Sequence, residues 1–227
     1  MKSWLIIGLL LVSSGYAYAA ESVCYGVPAN GRLKGGVKLP TRGRNFQAYS
    51  EAGAMLGRTH AHSQVVASIV KAYADLQRSV PGKQYVYGET GLAEGGPFKP
   101  HKTHQNGLSV DFMVPVLDAR GRSVPLPGGV SNRYGYDIEF DKNARYRDLR
   151  IDFEAMAEHL YALHRAGQRD DGAKIDRVIF APEFLPKLFA SRRGAYLRQH
   201  LEFTRGKVWW RHDEHYHVDF QVRCHRR

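Results

Sequence analysis

Cysteines and acidic residues are scarce in this sequence, and long apolar runs are almost absent. The two cysteines, Cys24 and Cys224, stand far apart, and neither has the close spacing of a cysteine zinc site. Beyond the first residues there is no long apolar run, low-complexity tract or internal repeat, which argues against a membrane-spanning domain and a repeat architecture. The 33 Lys and Arg residues outnumber the 22 Asp and Glu residues, and the formal charge of +11 favours acidic partners.

The first 19 residues have the pattern of a secretory signal peptide. Lys2 precedes an apolar run over residues 4–12, and an A-x-A site ends at Ala19. Because that run is too short to cross a bilayer comfortably as a helix, a retained membrane anchor is the weaker alternative. We predict cleavage after Ala19, export to the periplasm or beyond, and no stable membrane insertion afterwards. Residues 20–227 are then enough for a single domain.

Export also bears on the partners and on the cysteines. It argues against nucleic acid as the acidic partner and leaves an anionic cell wall or outer surface. In an oxidising compartment Cys24 and Cys224 can form a disulfide, with two free thiols as the alternative. Closing so long a loop stabilises the fold on the order of 5 kcal/mol in the loop-entropy account.

Local patterns predict helices and strands in an α+β fold, with a central, mainly antiparallel sheet flanked by helices. Apolar spacing predicts a helix over residues 61–79, and Asp152 is placed to cap a second helix that ends at Gly167. Residues 24–46, rich in Gly and Pro, predict an irregular arm. Residues 118–150 predict a long loop, which either forms a wall of a substrate cleft or is disordered. Strands are predicted over 84–88, 108–116, 174–181, 207–211 and 215–222, and a short helix interrupted by Pro186 over 182–190.

Two groups of histidines, far apart in the chain, indicate a metal site. In "HYHVDFQV" a strand places His215, His217 and Asp219 on one face, and Tyr216, Val218, Phe220 and Val222 on the other. In "HKTHQNGLSVDF" Gly107 permits a turn that aims His104 and Asp111 at one point. Imidazole and carboxylate are ordinary zinc ligands, and His104, Asp111 and His217 supply the three that a catalytic zinc keeps. The alternative is chance, because the chain has 11 histidines.

Together the motifs resemble the LAS group of zinc peptidases, and most closely the penicillin-insensitive murein endopeptidases. The resemblance rests on "GGPFKPHKTHQNGLSVDF" and "HDEHYHVDF". It implies an LAS-type metallopeptidase fold and cleavage of the peptide cross-links of peptidoglycan. It also implies one zinc ion bound by His104, Asp111 and His217, with His215 as general base.

The remaining assignments have open alternatives. The resemblance implies that His101 and His212 support the metal site or bind substrate, and polar loop residues are the alternative. Asp219 either orients an imidazole or forms a surface salt bridge. We interpret the "THAH" stretch at 59–62 as solvated surface, and Arg133, Arg145, Arg147 and Arg150 as candidates to meet substrate carboxylates or as solvated charge. A zinc D,D-carboxypeptidase and a non-catalytic peptidoglycan-binding module are the alternative functions.

Overall fold

The computed structural model describes residues 21–206 and 210–226. The predicted signal peptide lies outside the described residues, as do residues 207–209 of the predicted strand 207–211. The strands are β1 (Val23–Val27), β2 (Asn30–Lys34), β3 (Val37–Lys38), β4 (Phe46–Ala48), β5 (His60–Ala61), β6 (Tyr85–Tyr87), β7 (Ser109–Met113), β8 (Val116–Leu117), β9 (Ser123–Val124), β10 (Arg145–Tyr146), β11 (Leu149–Ile151), β12 (Lys174–Ile179) and β13 (His215–Gln221). The α-helices are α1 (Glu51–Met55), α2 (Ser63–Ser79), α3 (Phe153–Gly167), α4 (Leu185–Phe189) and α5 (Gly194–His200), and 3₁₀ segments span Val130–Gly135 and Pro182–Phe184.

A five-stranded sheet in the order β12-β13-β7-β6-β4 organises the molecule. Every neighbouring pair in it is antiparallel except β4 and β6. Strands β8 to β11 form a second, antiparallel sheet, and β1 pairs with β2 as a hairpin. The predicted α+β class with a mainly antiparallel sheet is confirmed. In the described residues, no helix has the length and apolarity needed to cross a bilayer.

Helices α2 and α3 pack against one face of the central sheet, and their sequences explain why they form. Asp152 caps α3 as predicted, since its Oδ1 accepts a hydrogen bond from the Ala155 amide at 3.1 Å. His159 on α3 stacks on Tyr73 of α2 and meets Phe112 of β7 edge-on, with ring centroids 5.1 and 4.8 Å apart. Because strand side chains alternate, this apolar layer leaves the opposite face of β7 and β13 for polar residues.

The disulfide between Cys24 and Cys224 is present, as predicted. It joins β1 to the segment after β13 and therefore ties the two ends of the described chain together. The Asn106 amide lies 3.8 Å from the sulfur of Cys224, which places the bond beside the loop that carries the first histidine group.

Three local predictions were wrong. The arm at 24–46 is partly ordered by pairing of β1 with β2, and the predicted strand 108–116 breaks near Pro115, so that β7 and β8 belong to different sheets. Pro186 stands in the first turn of α4, where a missing amide hydrogen costs nothing, so it does not interrupt that helix. Helix α5 was not predicted at all. The described part of 207–211, Trp210 and Arg211, is not in a strand.

The "THAH" histidines are not solvated surface. His62 is buried at the start of α2, where its Nδ1 accepts a hydrogen bond from the Gln64 amide at 3.3 Å. His60 lies in β5 and is half-buried, and its Nδ1 is 2.9 Å from the Gly57 carbonyl oxygen. The ring of His62 therefore caps a helix, and the ring of His60 contacts the backbone.

Candidate active site

Pairing of β7 with β13 joins the two histidine groups. In the register of that pair, His217 lies directly opposite Asp111, and His215 lies opposite Met113. His217 Nδ1 is 2.9 Å from Asp111 Oδ1, and His215 Nε2 is 3.8 Å from the same oxygen. A single buried carboxylate oxygen is thus approached by imidazoles from residues more than a hundred positions away.

His104 approaches the same oxygen from the loop before β7, with its nitrogens in different environments. Its Nδ1 lies 3.2 Å from the Thr90 carbonyl oxygen, and since a carbonyl only accepts, Nδ1 carries the hydrogen. Its Nε2 then presents a lone pair, 3.3 Å from Asp111 Oδ1, and this fully buried atom has no hydrogen-bond partner. Two electron-pair donors that face each other without a proton form the kind of gap that a cation fills.

His101 approaches the other oxygen of the Asp111 carboxylate and is held by Glu89. Its Nε2 donates to Glu89 Oε2 at 2.6 Å, while its Nδ1 is 3.8 Å from Asp111 Oδ2. Burial opposes the negative charge of Glu89, but hydrogen bonds from His101 and Arg58 lower the pKa of Glu89 to about 2. Among the described residues, His101, His104 and Asp111 form a group whose possible ligand atoms all lie within 4.8 Å of one another.

Carboxylates also fix the two histidines of β13. The Nδ1 of His215 donates to Glu214 Oε1 at 2.8 Å, and the Nε2 of His217 donates to Asp219 Oδ1 at 2.8 Å. Burial alone would lower the pKa of both rings; hydrogen bonds with Asp111 and Asp219 instead raise the pKa of His217 to about 9, and Glu214 with Asp111 raises that of His215. Burial would likewise raise the pKa of Asp111, but the histidines around it hold that pKa well below its usual range.

Asp219 performs both of the roles that the sequence left open. It is buried, it accepts from His217 and from Ser109 Oγ at 2.6 Å, and it also pairs with Arg177 on β12. This carboxylate therefore connects a site histidine to a guanidinium near the surface.

Tyr136, a residue that no sequence motif indicated, completes the shell around Asp111. Its hydroxyl donates to Asp111 Oδ2 at 3.0 Å and accepts from the Glu89 amide at 2.9 Å. Gly88 leaves room for this contact, because a Cβ there would lie 2.6 Å from the Tyr136 oxygen and 2.9 Å from Asp111 Cβ. The signal was weak: Tyr136 is one of 13 tyrosines, in the least patterned part of the chain.

Glu89 and Glu214 were also missed. Glu214 stands between two of the motif histidines, and its position beside His215 was the one local clue to a pairing. Glu89 follows β6, and nothing in the local pattern indicated that its carboxylate reaches His101.

A cleft of about 510 Å³ opens onto these groups. His212 lies at its edge, with its ring centroid 4.7 Å from that of His215 and its Nδ1 2.8 Å from the Trp210 carbonyl oxygen. The burial of His212 lowers its pKa to about 4, so that its ring is neutral near pH 7. The cleft is lined by Glu89, Pro100, His101, Lys102, Thr103, Arg133, Tyr136, Ile179, Thr204, Trp210, His212, His215 and His217.

All six predicted site residues therefore meet at one place. The Asp111 carboxylate is surrounded by His101, His104, His215 and His217. His212 stands beside His215. Of the four arginines considered, only Arg133 is among the residues that line the cleft.

The chain belongs to the penicillin-insensitive murein endopeptidase family, whose model matches residues 24–226. No curated protein matches the chain. The family predicted from the two histidine motifs is confirmed over nearly the whole sequence. The protein is accordingly a hydrolase that cleaves peptide cross-links of murein, the peptidoglycan of the bacterial wall.

Proposed function

We propose that this murein endopeptidase binds one zinc ion through His104, Asp111 and His217, and that His215 is its general base. The observation that supports the metal best is the buried Nε2 of His104, a lone pair without a partner at 3.3 Å from a carboxylate oxygen. The donor set also fits, since two imidazoles and one carboxylate are ordinary zinc ligands that leave a position open.

His101 competes with His217 for the third ligand position, and burial with register favours His217. The side chain of His217 is 4% exposed and stands on a strand directly opposite Asp111, whereas the side chain of His101 is 18% exposed on a loop. Asp219 also holds the far nitrogen of His217, the arrangement that commonly orients a metal-binding imidazole. His101 then remains on the cleft wall, where it and His212 can hydrogen-bond the substrate.

The chain's own groups supply the proton transfers of peptide hydrolysis. Glu214 holds the Nδ1 hydrogen of His215, so the Nε2 of His215 faces the site with a lone pair that can take a proton from the attacking water. The same nitrogen then returns that proton to the leaving amine. When bound, zinc would supply a Lewis acid that polarises the scissile carbonyl and acidifies water. No serine is acylated in this scheme, so a β-lactam has no target residue.

Paired substitutions separate the ligands from the base. His104→Ala and His217→Ala should lose most bound zinc, whereas His101→Ala and His215→Ala should keep it. His215→Ala should still lose turnover by about 10²–10⁴-fold, the usual size of a general-base contribution. Metal content is read by mass spectrometry of the purified proteins.

Activity is read as release of monomeric from dimeric muropeptides, with and without chelator, and with benzylpenicillin present to silence serine enzymes. Full zinc occupancy in His217→Ala together with its loss in His101→Ala would transfer the ligand role to His101. Wild-type turnover in zinc-loaded His215→Ala would remove the base from the scheme.

The disulfide and the substrate support a periplasmic location for this activity. A disulfide and a peptidoglycan substrate both fit an exported protein. We infer that the chain is periplasmic after cleavage behind Ala19, and that residues 20–227 act as a single domain. The amino-terminal sequence of the protein isolated from periplasm should begin at Ala20; a start at Met1 would contradict this inference.

A further inference from the structure

Arg133 is the basic residue of the segment 118–150 that lines the cleft. Arg145, Arg147 and Arg150, in the same fully described segment, are exposed and lie outside the cleft lining. Arg133 comes three residues before Tyr136, whose hydroxyl contacts Asp111. One short stretch of chain therefore supplies both a hydrogen bond to the proposed metal ligand and a positive charge on the wall beside it.

The backbone at this position is strained, and the fold holds it in place. Arg133 and Tyr134 have φ values of 47° and 59°, in the left-handed region that side chains other than glycine rarely adopt. The side chain of Asn132 secures the turn, because its Oδ1 accepts from the amides of Gly129 and Gly135 at 2.8 and 3.1 Å. These hydrogen bonds fix the turn and therefore hold Arg133 at the wall of the cleft.

Two contacts position the guanidinium of Arg133 but leave it able to bind a ligand. It lies over the ring of Trp210, with 5.6 Å from its central carbon to the ring centroid, and one nitrogen is 3.2 Å from Asp137 Oδ1. The side chains of Arg133 and Asp137 are 49% and 43% exposed, so their ion pair is weak and exchanges readily. A guanidinium has five N–H donors in a fork that matches a carboxylate.

We propose that Arg133, seated on Trp210, binds a free carboxylate of the cross-linked peptide and so determines which murein peptides are cut. This assignment rests on the proposed function, since it takes the peptide to lie in the cleft across His215. A carboxylate that enters a partly enclosed cleft loses water and needs a charged partner, and the bidentate contact with arginine is the strong form of that pairing.

The test compares two dimeric muropeptides that differ only in whether the free carboxylate next to the cross-link is amidated. The wild-type enzyme should prefer the free carboxylate. Arg133→Gln should lower kcat/KM about 10- to 100-fold on that substrate, mainly through KM, and leave the amidated substrate unchanged. Arg133→Lys should fall between them, and Arg145→Gln, the matched control, should behave as wild type. Zinc content and thermal unfolding confirm that each variant is folded.

The proposal is overturned if Arg133→Gln has the same ratio of kcat/KM for the two substrates as the wild-type enzyme, whether both values are unchanged or both fall equally. Should Arg133→Gln not fold, the ratio measured with Arg133→Lys decides in the same way. Calorimetric binding of both muropeptides to His215→Ala, with and without Arg133→Gln, separates this proposal from the proposed function. If metal-dependent cleavage is absent, the proposed function fails, while a carboxylate-dependent difference in binding still supports Arg133 and equal binding still refutes it.

Discussion

Substituting Phe for Tyr136 should loosen the proposed metal site without opening a cavity. The ring is retained, so the change removes one oxygen that donates to Asp111 Oδ2 at 3.0 Å and accepts from the Glu89 amide at 2.9 Å. Burial and the nearby Asp111 raise the pKa of Tyr136 well above its usual value, so the hydroxyl is a neutral donor at every accessible pH. The substitution therefore deletes two hydrogen bonds and no charge.

The expected size follows from what is left behind. The Glu89 amide becomes a buried donor without this acceptor, which costs about 1–3 kcal/mol of folding stability. Asp111 loses the donor that fixes its second oxygen, and the loss of such a supporting contact typically weakens metal binding about 10- to 100-fold. Zinc affinity should therefore fall with stability, even though Tyr136 is not a proposed ligand.

Zinc affinity measured by competition with a chromophoric chelator, and urea unfolding of the metal-free protein, test both effects. Tyr134→Phe is the matched control, because it removes a hydroxyl from the same segment while its ring packs edge-on against Tyr49 at 6.0 Å. If Tyr136→Phe binds zinc as tightly as wild type and unfolds at the same urea concentration, the bond to Asp111 does not organise the site.

Two further predictions concern the support of the fold. Replacing Cys24 and Cys224 with Ser removes a bond that spans 200 residues, and the loop-entropy account gives a loss of about 5 kcal/mol in urea unfolding; an unchanged midpoint would contradict it. Acid should destabilise the protein through His159. Burial lowers the pKa of this histidine to about 3 in the folded protein, whereas in the unfolded chain it binds a proton near pH 6.5. Stability therefore falls as the pH drops below about 6.5, by about 1.4 kcal/mol at pH 5.5 from this residue alone. His159→Phe keeps a stacking ring and should show a shallower pH dependence; parallel profiles of the two proteins would exclude this cause.

Local sequence predicted the helices and the strand faces well, because these follow from short-range rules. Apolar spacing predicted a helix at 61–79 and the structure has Ser63–Ser79, and Asp152 marked the start of the helix that ends at Gly167. Alternation in "HYHVDFQV" predicted that His215 and His217 share a face away from Tyr216. The structure agrees, since both histidines contact Asp111 while Tyr216 contacts His159 of the helical layer. Prediction was poorer where Pro, Gly and basic residues left no period, as in residues 24–46 and 118–150.

By itself the sequence determined the family, the class of fold and the six residues that gather at the site, and it left the disulfide as one of two alternatives for its cysteines. These depend on residue type and on spacing within short segments, which chain geometry converts directly into a shared face or a turn. Only the tertiary structure decided which atoms meet: that β13 pairs with β7 so that His217 faces Asp111, that Glu89 and Glu214 hold imidazoles, and that Tyr136 reaches the Asp111 carboxylate. Those contacts join residues from separate strands and loops, and the register that aligns them is set by the burial of whole faces of the sheet, a property that no short segment contains.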